Sequence, residues 1–265
     1  MRCRAEAPLG ENSLATPAIR IYRRYKIFVS PRQYLLRRSI ARFGKWYVTS
    51  SPLGLCLDVG AGTSPYRQTV LESFKVNCYW SLDLVPSDTT DIVADAGALP
   101  LANDSVDLVV CIDTIQHLRD YSLVLDELVR VTAPGGLLLI AFPFIYGECD
   151  VQDFRRWTLL GMTDELERRG CTVVKMEPSG GAVTATLASW RSAINNLVPG
   201  GRKSWRAQRS VRSYLREGSL LVLGLPLTIL TWVAIVLDGI LPQAGLYTGG
   251  VGLAKVGGNR AKDDP

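Results

Sequence analysis

Histidine is almost missing from this chain: His117 is the single one among 265 residues. The six cysteines stand far apart, at positions 3, 56, 78, 111, 149 and 171, with no C-x-x-C pair and no zinc spacing. A metal centre built on imidazole or thiolate is therefore not expected, and the scattered thiols read as free, in a reducing compartment. The run G-x-x-x-x-G-K-[ST] is absent, which excludes a Walker-type phosphate cradle. No internal repeat or long low-complexity segment occurs. Met1 to Pro8 carries charges with no apolar run behind them, so it reads as a disordered leader to about Pro17 and not as a secretory signal. With 47% hydrophobic residues, the length suits one full α/β core with additions and hardly two domains of ordinary size.

What is present is most concentrated between Leu55 and Tyr66. An apolar run ends in Asp58, a turn through Gly60 and Gly62 follows, and Ser64 and Pro65 stand where a helix would begin. Glycine accepts left-handed backbone and lets the main chain touch a ligand with no Cβ in the way. Serine suits an N-cap and proline the first helical position. The pattern predicts a strand that delivers a ligand to a helix N-terminus. A dinucleotide fingerprint, G-x-G-x-x-G, needs a third glycine at the place Pro65 occupies. Asp58 inside the loop repels a pyrophosphate and suits a ligand with an ammonium group. Both points favour S-adenosylmethionine over NAD.

The next hundred residues supply acids and apolar runs in the order a doubly wound sheet needs. Val76 to Leu82 is strand-like and ends in Asp83, about 20 residues past Gly62, the distance at which an acid commonly holds ribose hydroxyls. Ile92 to Ala94 leads to Asp95, and Asn103-Asp104-Ser105 marks a turn. Leu108 to Ile112 is apolar on both faces, as a central parallel strand should be. Asp120 and Ser122 are candidate caps for a helix with Val124, Leu125, Leu128 and Val131 on one side, and Pro134-Gly135-Gly136 should end it before a buried strand from Leu137 to Phe142.

Leu57-Asp58-Val59-Gly60-Ala61-Gly62, Asp83, Asp95-Ala96 with Leu99-Pro100, Asp107-Leu108-Val109 and Pro134-Gly135-Gly136 together resemble class I S-adenosylmethionine-dependent methyltransferases. Within that class the chain is most similar to the broad family that includes small-molecule and glycan-cluster methyltransferases, over roughly residues 52–178. The resemblance implies a doubly wound, mostly parallel, seven-stranded α/β sheet, with Cys171 to Met176 as sixth strand and Gly250 to Val256 as seventh. It implies that Gly60, Ala61 and Gly62 pack under the methionyl part of the cofactor while Asp58 serves its ammonium. Asp83 would take the ribose hydroxyls, Leu84 flank the adenine, Asp95 and Ala96 read the adenine edge, and Cys111 face the sulfonium.

Methyl transfer is an in-line displacement, so the protein mainly aligns donor and acceptor and excludes water. A base is needed only for a hydroxyl or a protonated amine. Imidazole is the ordinary side chain for that work near neutral pH, and the family often carries a histidine at the pocket rim, where His117 follows the fourth strand. Glu148 and Asp150, in the loop after the fifth strand, are the other catalytic candidates; Glu148 stands where the family often has histidine. Tyr146, Asp153 and Arg156 are candidates for holding the acceptor, and Asp153, Phe154, Arg156 and Thr158 match the ending of the family's acceptor loop. Each has a structural alternative: His117 packing the next helix, Thr158 capping one, Arg156 pairing only with Asp153.

Charge divides the chain. Residues 51–180 hold nine basic and nineteen acidic side chains, whereas the rest hold twenty-one and six. Arg20 to Tyr47 is a basic stretch without acids, its bases interleaved with tyrosines, phenylalanines and Trp46, and a second cluster runs from Arg202 to Arg216. Such segments suit an anionic surface. Gly218 to Leu237 follows with no charge at all, long enough to span a bilayer but interrupted by Pro226. If the sixth and seventh strands share a sheet, a single crossing is excluded, so a monotopic or re-entrant element is expected. A run like Asn-Pro-Pro-Tyr is absent after the fourth strand, and nucleic acid is not an expected partner.

These readings give a leader and basic aromatic helical arm over 1–50, a cofactor-binding core over 51–180, a basic and hydrophobic helical insertion over 181–246, and a last strand and tail over 247–265. The expected activity is O-methylation of a small amphipathic or lipid-linked, glycan-type acceptor, with S-adenosylmethionine as cofactor, at the inner face of the cytoplasmic membrane. The alternatives are an NAD(P)-dependent oxidoreductase using the same turn and Asp83, and a non-catalytic membrane scaffold that keeps the fold.

Overall fold

A computed structural model describes residues 31–47, 52–148, 152–197, 229–240 and 245–257. In chain order these form α1 (Pro31–Trp46), β1 (Leu53–Val59), α2 (Arg67–Phe74), β2 (Val76–Asp83), β3 (Ile92–Val93) and β4 (Val106–Ile112). A 3-10 turn (Ile115–His117), α3 (Tyr121–Val131), β5 (Thr132–Pro143), α4 (Leu159–Glu167), β6 (Cys171–Ser179) and α5 (Ala182–Leu197) follow. A helix over 229–238, here α6, precedes β7 (Gly249–Val256). The leader, the bases between Arg202 and Arg216, the segment 218–228 and Asp150 lie outside the described residues.

The seven strands form one sheet in the order β3-β2-β1-β4-β5-β7-β6. Pairing is parallel through β5, and β7 runs antiparallel between β5 and β6. The order reverses between β1 and β4, so the carboxyl ends of those strands open a crevice, which is where ligands bind in sheets of this kind.

From Leu108 to Ile112 β4 reads as a continuous apolar run because it is covered on both sides, and successive residues face opposite layers. Val109 and Cys111 join Leu57, Val59, Leu138 and Ile140 under α3 and α4. Leu108 and Val110 join Cys56, Leu137 and Leu139 under α1 and α2. α3 supplies Val124, Leu125, Leu128, Val129 and Val131 from one side, all buried, as a helix with apolar residues every three or four positions must.

Local punctuation differs from the sequence reading in three places. α2 starts at Arg67 with Tyr66 as its N-cap, because Ser64 takes a left-handed φ of 48° and turns the chain once more before the helix. Pro134-Gly135-Gly136 does not stop α3: the helix ends at Val131, and β5 already contains the triplet, with Gly135 at φ 79° and a register shift against β4. Cys56, Cys111 and Cys171 are free and buried, whereas Cys78 is disulfide-bonded.

The connection from β6 to β7 holds α5 and α6. Asp238, at the end of α6, accepts hydrogen bonds from the backbone N–H groups of Gly181, Val183 and Thr184, at 2.9, 3.0 and 3.0 Å. A carboxylate on the exposed N–H groups of a helix start satisfies donors that have no helical partner. Among the described residues, no helix is long and apolar enough to cross a membrane.

Candidate active site

A cavity of 720 Å³ opens at the carboxyl ends of β1, β2 and β4. Gly60 and Gly62 form its floor, Asp83 and Leu84 follow from β2, and Asp95 to Ala98 come from the loop after β3. Asp113, Thr114 and His117 follow β4, while Arg119, Leu123 and Phe154 close the far side.

The glycine turn is shaped by contact and by openness. Gly60, at φ 71°, lies so close to Thr114 that an added Cβ would sit 2.2 Å from its Cγ2. Gly62, at φ 55°, has nothing within 4 Å of such a Cβ, so this backbone faces free space. The Gly62 N–H donates to Asp83 Oδ2 at 2.8 Å, and the Val85 N–H donates to Asp83 Oδ1 at 2.9 Å. Two backbone donors fix the Asp83 carboxylate on the wall and leave it lone pairs for hydroxyl donors. Ser87 and Thr89 hydroxyls donate to the Gly62 carbonyl at 3.2 and 3.1 Å, tying the loop after β2 to the turn. Asp95 is oriented by the Gly97 N–H, at 2.8 Å.

His117 lies half-buried on the wall, with Nδ1 3.2 Å from the Gln152 carbonyl oxygen. A carbonyl only accepts, so this bond puts the proton of the neutral ring on Nδ1 and leaves Nε2 as an acceptor. Asp113 is gripped from α1: Arg32 Nε donates to its Oδ2 at 2.9 Å, and Arg32 Nη2 donates to Oδ1. The same guanidinium lies 5.4 Å from the centre of the Tyr146 ring. The N-terminal arm thereby reaches the rim of the cavity.

Of the residues expected to hold the cofactor, Gly60, Gly62, Asp83, Leu84, Asp95 and Ala96 stand together on this wall. Asp58, Ala61 and Cys111 are buried and do not line it. Asp58 points to the layer of α1 and α2, where the Tyr79 hydroxyl donates to it. Burial pushes its carboxyl up to about 7; that hydrogen bond works against the rise and Asp83 adds to it. Cys111 lies on the opposite side of the sheet, in the core under α3, and burial pushes its thiol up to about 12, with Asp58 and Asp113 adding to the rise.

Of the expected catalytic residues, His117 is on the wall, Glu148 is exposed and off it, and Asp150 lies outside the described residues. Tyr146, Asp153 and Arg156 do not line the cavity either. Arg156 pairs with Asp153 and donates to the Tyr146 carbonyl at 3.3 Å and the Gly147 carbonyl at 3.4 Å, so it braces the loop after β5. Thr158 caps α4 by accepting from the Gly161 N–H at 3.0 Å. Asp113, Thr114 and Arg119 are wall residues that the sequence reading passed over. Their place just after β4, at a topological switch point, was the available signal.

Residues 57–140 match the family model described as a methyltransferase domain. A demethylmenaquinone methyltransferase of Corynebacterium glutamicum is 33% identical over 91 residues, 32% of this chain and 40% of that protein. A tRNA (carboxymethyluridine(34)-5-O)-methyltransferase of Arabidopsis thaliana is 33% identical over 135 residues, 46% of this chain and 33% of that protein. Among solved structures, a phosphoethanolamine N-methyltransferase 2 of Haemonchus contortus, in complex with S-adenosyl-L-methionine, superposes with a TM-score of 0.52 at 17% identity, covering 84% of this chain and 53% of that one. The strand order and the match over residues 57–140 make the core similar to class I methyltransferase domains. The cofactor of that family is S-adenosylmethionine. The wall residues fit it: Gly62 leaves open the space a side chain would fill, and the anchored Asp83 faces that space.

Proposed function

We propose that the protein is an S-adenosylmethionine-dependent methyltransferase that methylates an oxygen of a small amphipathic or lipid-linked, glycan-type acceptor. We infer that it works as a peripheral or monotopic protein on the inner face of the cytoplasmic membrane. The carrying observation is one cavity that joins Gly60, Gly62, Asp83 and Asp95 to the chain's only imidazole. The names of its relatives give acceptors as different as demethylmenaquinone and a tRNA uridine, so the acceptor reading rests on this chain's own flanks.

When bound, S-adenosylmethionine supplies a methyl group already activated on a sulfonium sulfur. The chain's part is alignment, exclusion of water and handling of one proton. Asp83 accepts hydroxyl hydrogen bonds on a carboxylate that Gly62 and Val85 hold still. His117 Nε2 takes the proton of an acceptor hydroxyl, while the bond from Nδ1 to Gln152 keeps the ring turned for that task. Phe154, with Arg119 5.0 Å from its ring centre, lines the far side of the cavity.

Calorimetric titration of the purified chain should give saturable binding of S-adenosylmethionine and none of NADH; the reverse result overturns the reading. Mass spectrometry of lipid extracts, with and without the active gene, should reveal an acceptor that has gained one methyl group. If the methylated species appears only among water-soluble metabolites, the lipid-linked acceptor is wrong.

A further inference from the structure

One surface of the insertion is explained by neither the cavity nor the core. α6 has two faces. The inner face is bound to the fold: Thr231, Ala234 and Ile235 are buried, and Trp232 packs edge-on against Tyr34 of α1 with 4.7 Å between ring centres. The outer face carries Ile229, Leu230, Val233, Val236 and Leu237, between 42% and 64% exposed, and Ile240 follows at 77%. Their spacing of i, i+1, i+4, i+7, i+8 and i+11 makes one stripe. Contiguous open aliphatic surface of this kind marks an interaction site.

Beside it α1 presents a different stripe. Tyr34, Arg38, Arg42, Lys45 and Trp46 are exposed at i, i+4, i+8, i+11 and i+12, and α1 contains no acid. Arg42 also reaches Glu177. In the sequence, α6 follows directly on 218–228, which holds no charge, and on the six bases between Arg202 and Arg216.

We propose that the outer face of α6 is a lipid-docking surface that sits in the interface of an anionic bilayer, with the basic aromatic stripe of α1 on the headgroups. The division of labour is that of an interfacial helix pair: aliphatic side chains enter the acyl boundary, guanidinium and ammonium groups meet phosphates, and tryptophan lies at headgroup level. A second copy of the chain fits less well, because a two-fold contact through α6 would set the cationic stripes of both copies close together. The proposal rests on the reading of an amphipathic acceptor and gives it a route. Arg32, in the first turn of α1, holds Asp113 on the cavity wall, and Trp232 of α6 packs on Tyr34 in the same part of the helix, so the start of α1 and α6 stand at the cavity end of the sheet. An acceptor whose tail stays in the bilayer then reaches His117 without leaving the interface.

The test is co-sedimentation of the full chain with phosphatidylcholine vesicles, with and without phosphatidylglycerol, beside a calorimetric cofactor titration of each variant. The full chain should bind the anionic vesicles, and more weakly as salt rises. Leu230→Ser and Val236→Ser should each weaken that binding by about tenfold, the value of one aliphatic side chain withdrawn from the interface. The double variant Arg38→Gln with Lys45→Gln should remove the preference for anionic over neutral vesicles. Cofactor affinity should be unchanged in all of them, which shows that they are folded and separates this proposal from the activity. Equal vesicle binding by wild type and the serine variants overturns it, as does a dimer that the serine variants convert to monomers. Vesicle binding without any cofactor binding would instead leave the docking surface standing and remove the enzymatic reading.

Discussion

Asp58 is an acid on which the fold places little countercharge. It is 4% exposed, beneath α1 and α2, with the Tyr79 hydroxyl as its hydrogen-bond donor. Burial lifts its carboxyl to about 7, so the folded chain holds that proton more tightly than the unfolded chain does. Its stability contribution is therefore complete below the ordinary carboxylate range and is lost as pH rises through about 7. Asp58→Asn keeps the shape and removes the ionisation. Urea titrations between about pH 4 and about pH 8 should show wild type losing on the order of a few kcal/mol that the variant keeps. The glycine turn and the acids after β2 and β3 were legible in the sequence because each is a local device: a φ that glycine favours, an acid at a strand's end. The side that Asp58 faces was not, since it depends on which helices cover that layer.

At the scale of elements, close approach between helices decides more than propensity does. Gly44, near the end of α1, lies where an added Cβ would be 2.4 Å from the Ser73 carbonyl oxygen and 2.5 Å from the Ser73 Cβ, at the crossing with α2. In isolation Gly44→Ala should favour the helix. Here it should destabilise the protein by about 1–3 kcal/mol, because backbone atoms cannot rotate away, and a lowered denaturation midpoint with unchanged slope would register it. Asp238 does the reverse work by joining two helices distant in sequence. Removing its carboxylate in Asp238→Ala leaves three N–H groups of the α5 start without their acceptor, which should cost about 1–2 kcal/mol. Limited proteolysis should then cut the 181–246 connection faster while the sheet stays intact. Strands and helices of the core were readable from apolar period. Neither Gly44 nor Asp238 was, because their partners lie 29 and 54 to 57 positions away and only the assembled fold brings them together.

At the scale of the whole molecule, the sheet, the turn and the loops after β2, β3 and β4 converge on one cavity, so filling it should stabilise elements far apart in the chain. A ligand that binds only the folded state adds RT ln(1 + [L]/Kd), about 2.7 kcal/mol at a hundredfold excess over Kd. For a chain of this size, each kcal/mol shifts the melting temperature by about 2–4 °C. S-adenosylmethionine at that excess should therefore raise the midpoint by about 5–10 °C, and NADH should leave it unmoved. The shift should fall sharply in Asp83→Asn, which retains one carbonyl acceptor but loses the charge that strengthens hydrogen bonds from ribose hydroxyls. It should persist in the serine variants of α6, whose substituted residues do not line the cavity. Loss of the shift in both sets would mean that α6 and the cofactor wall form one cooperative unit. Loss in Asp83→Asn alone places cofactor binding in the crevice at the carboxyl ends of the strands, where the strand order reverses between β1 and β4.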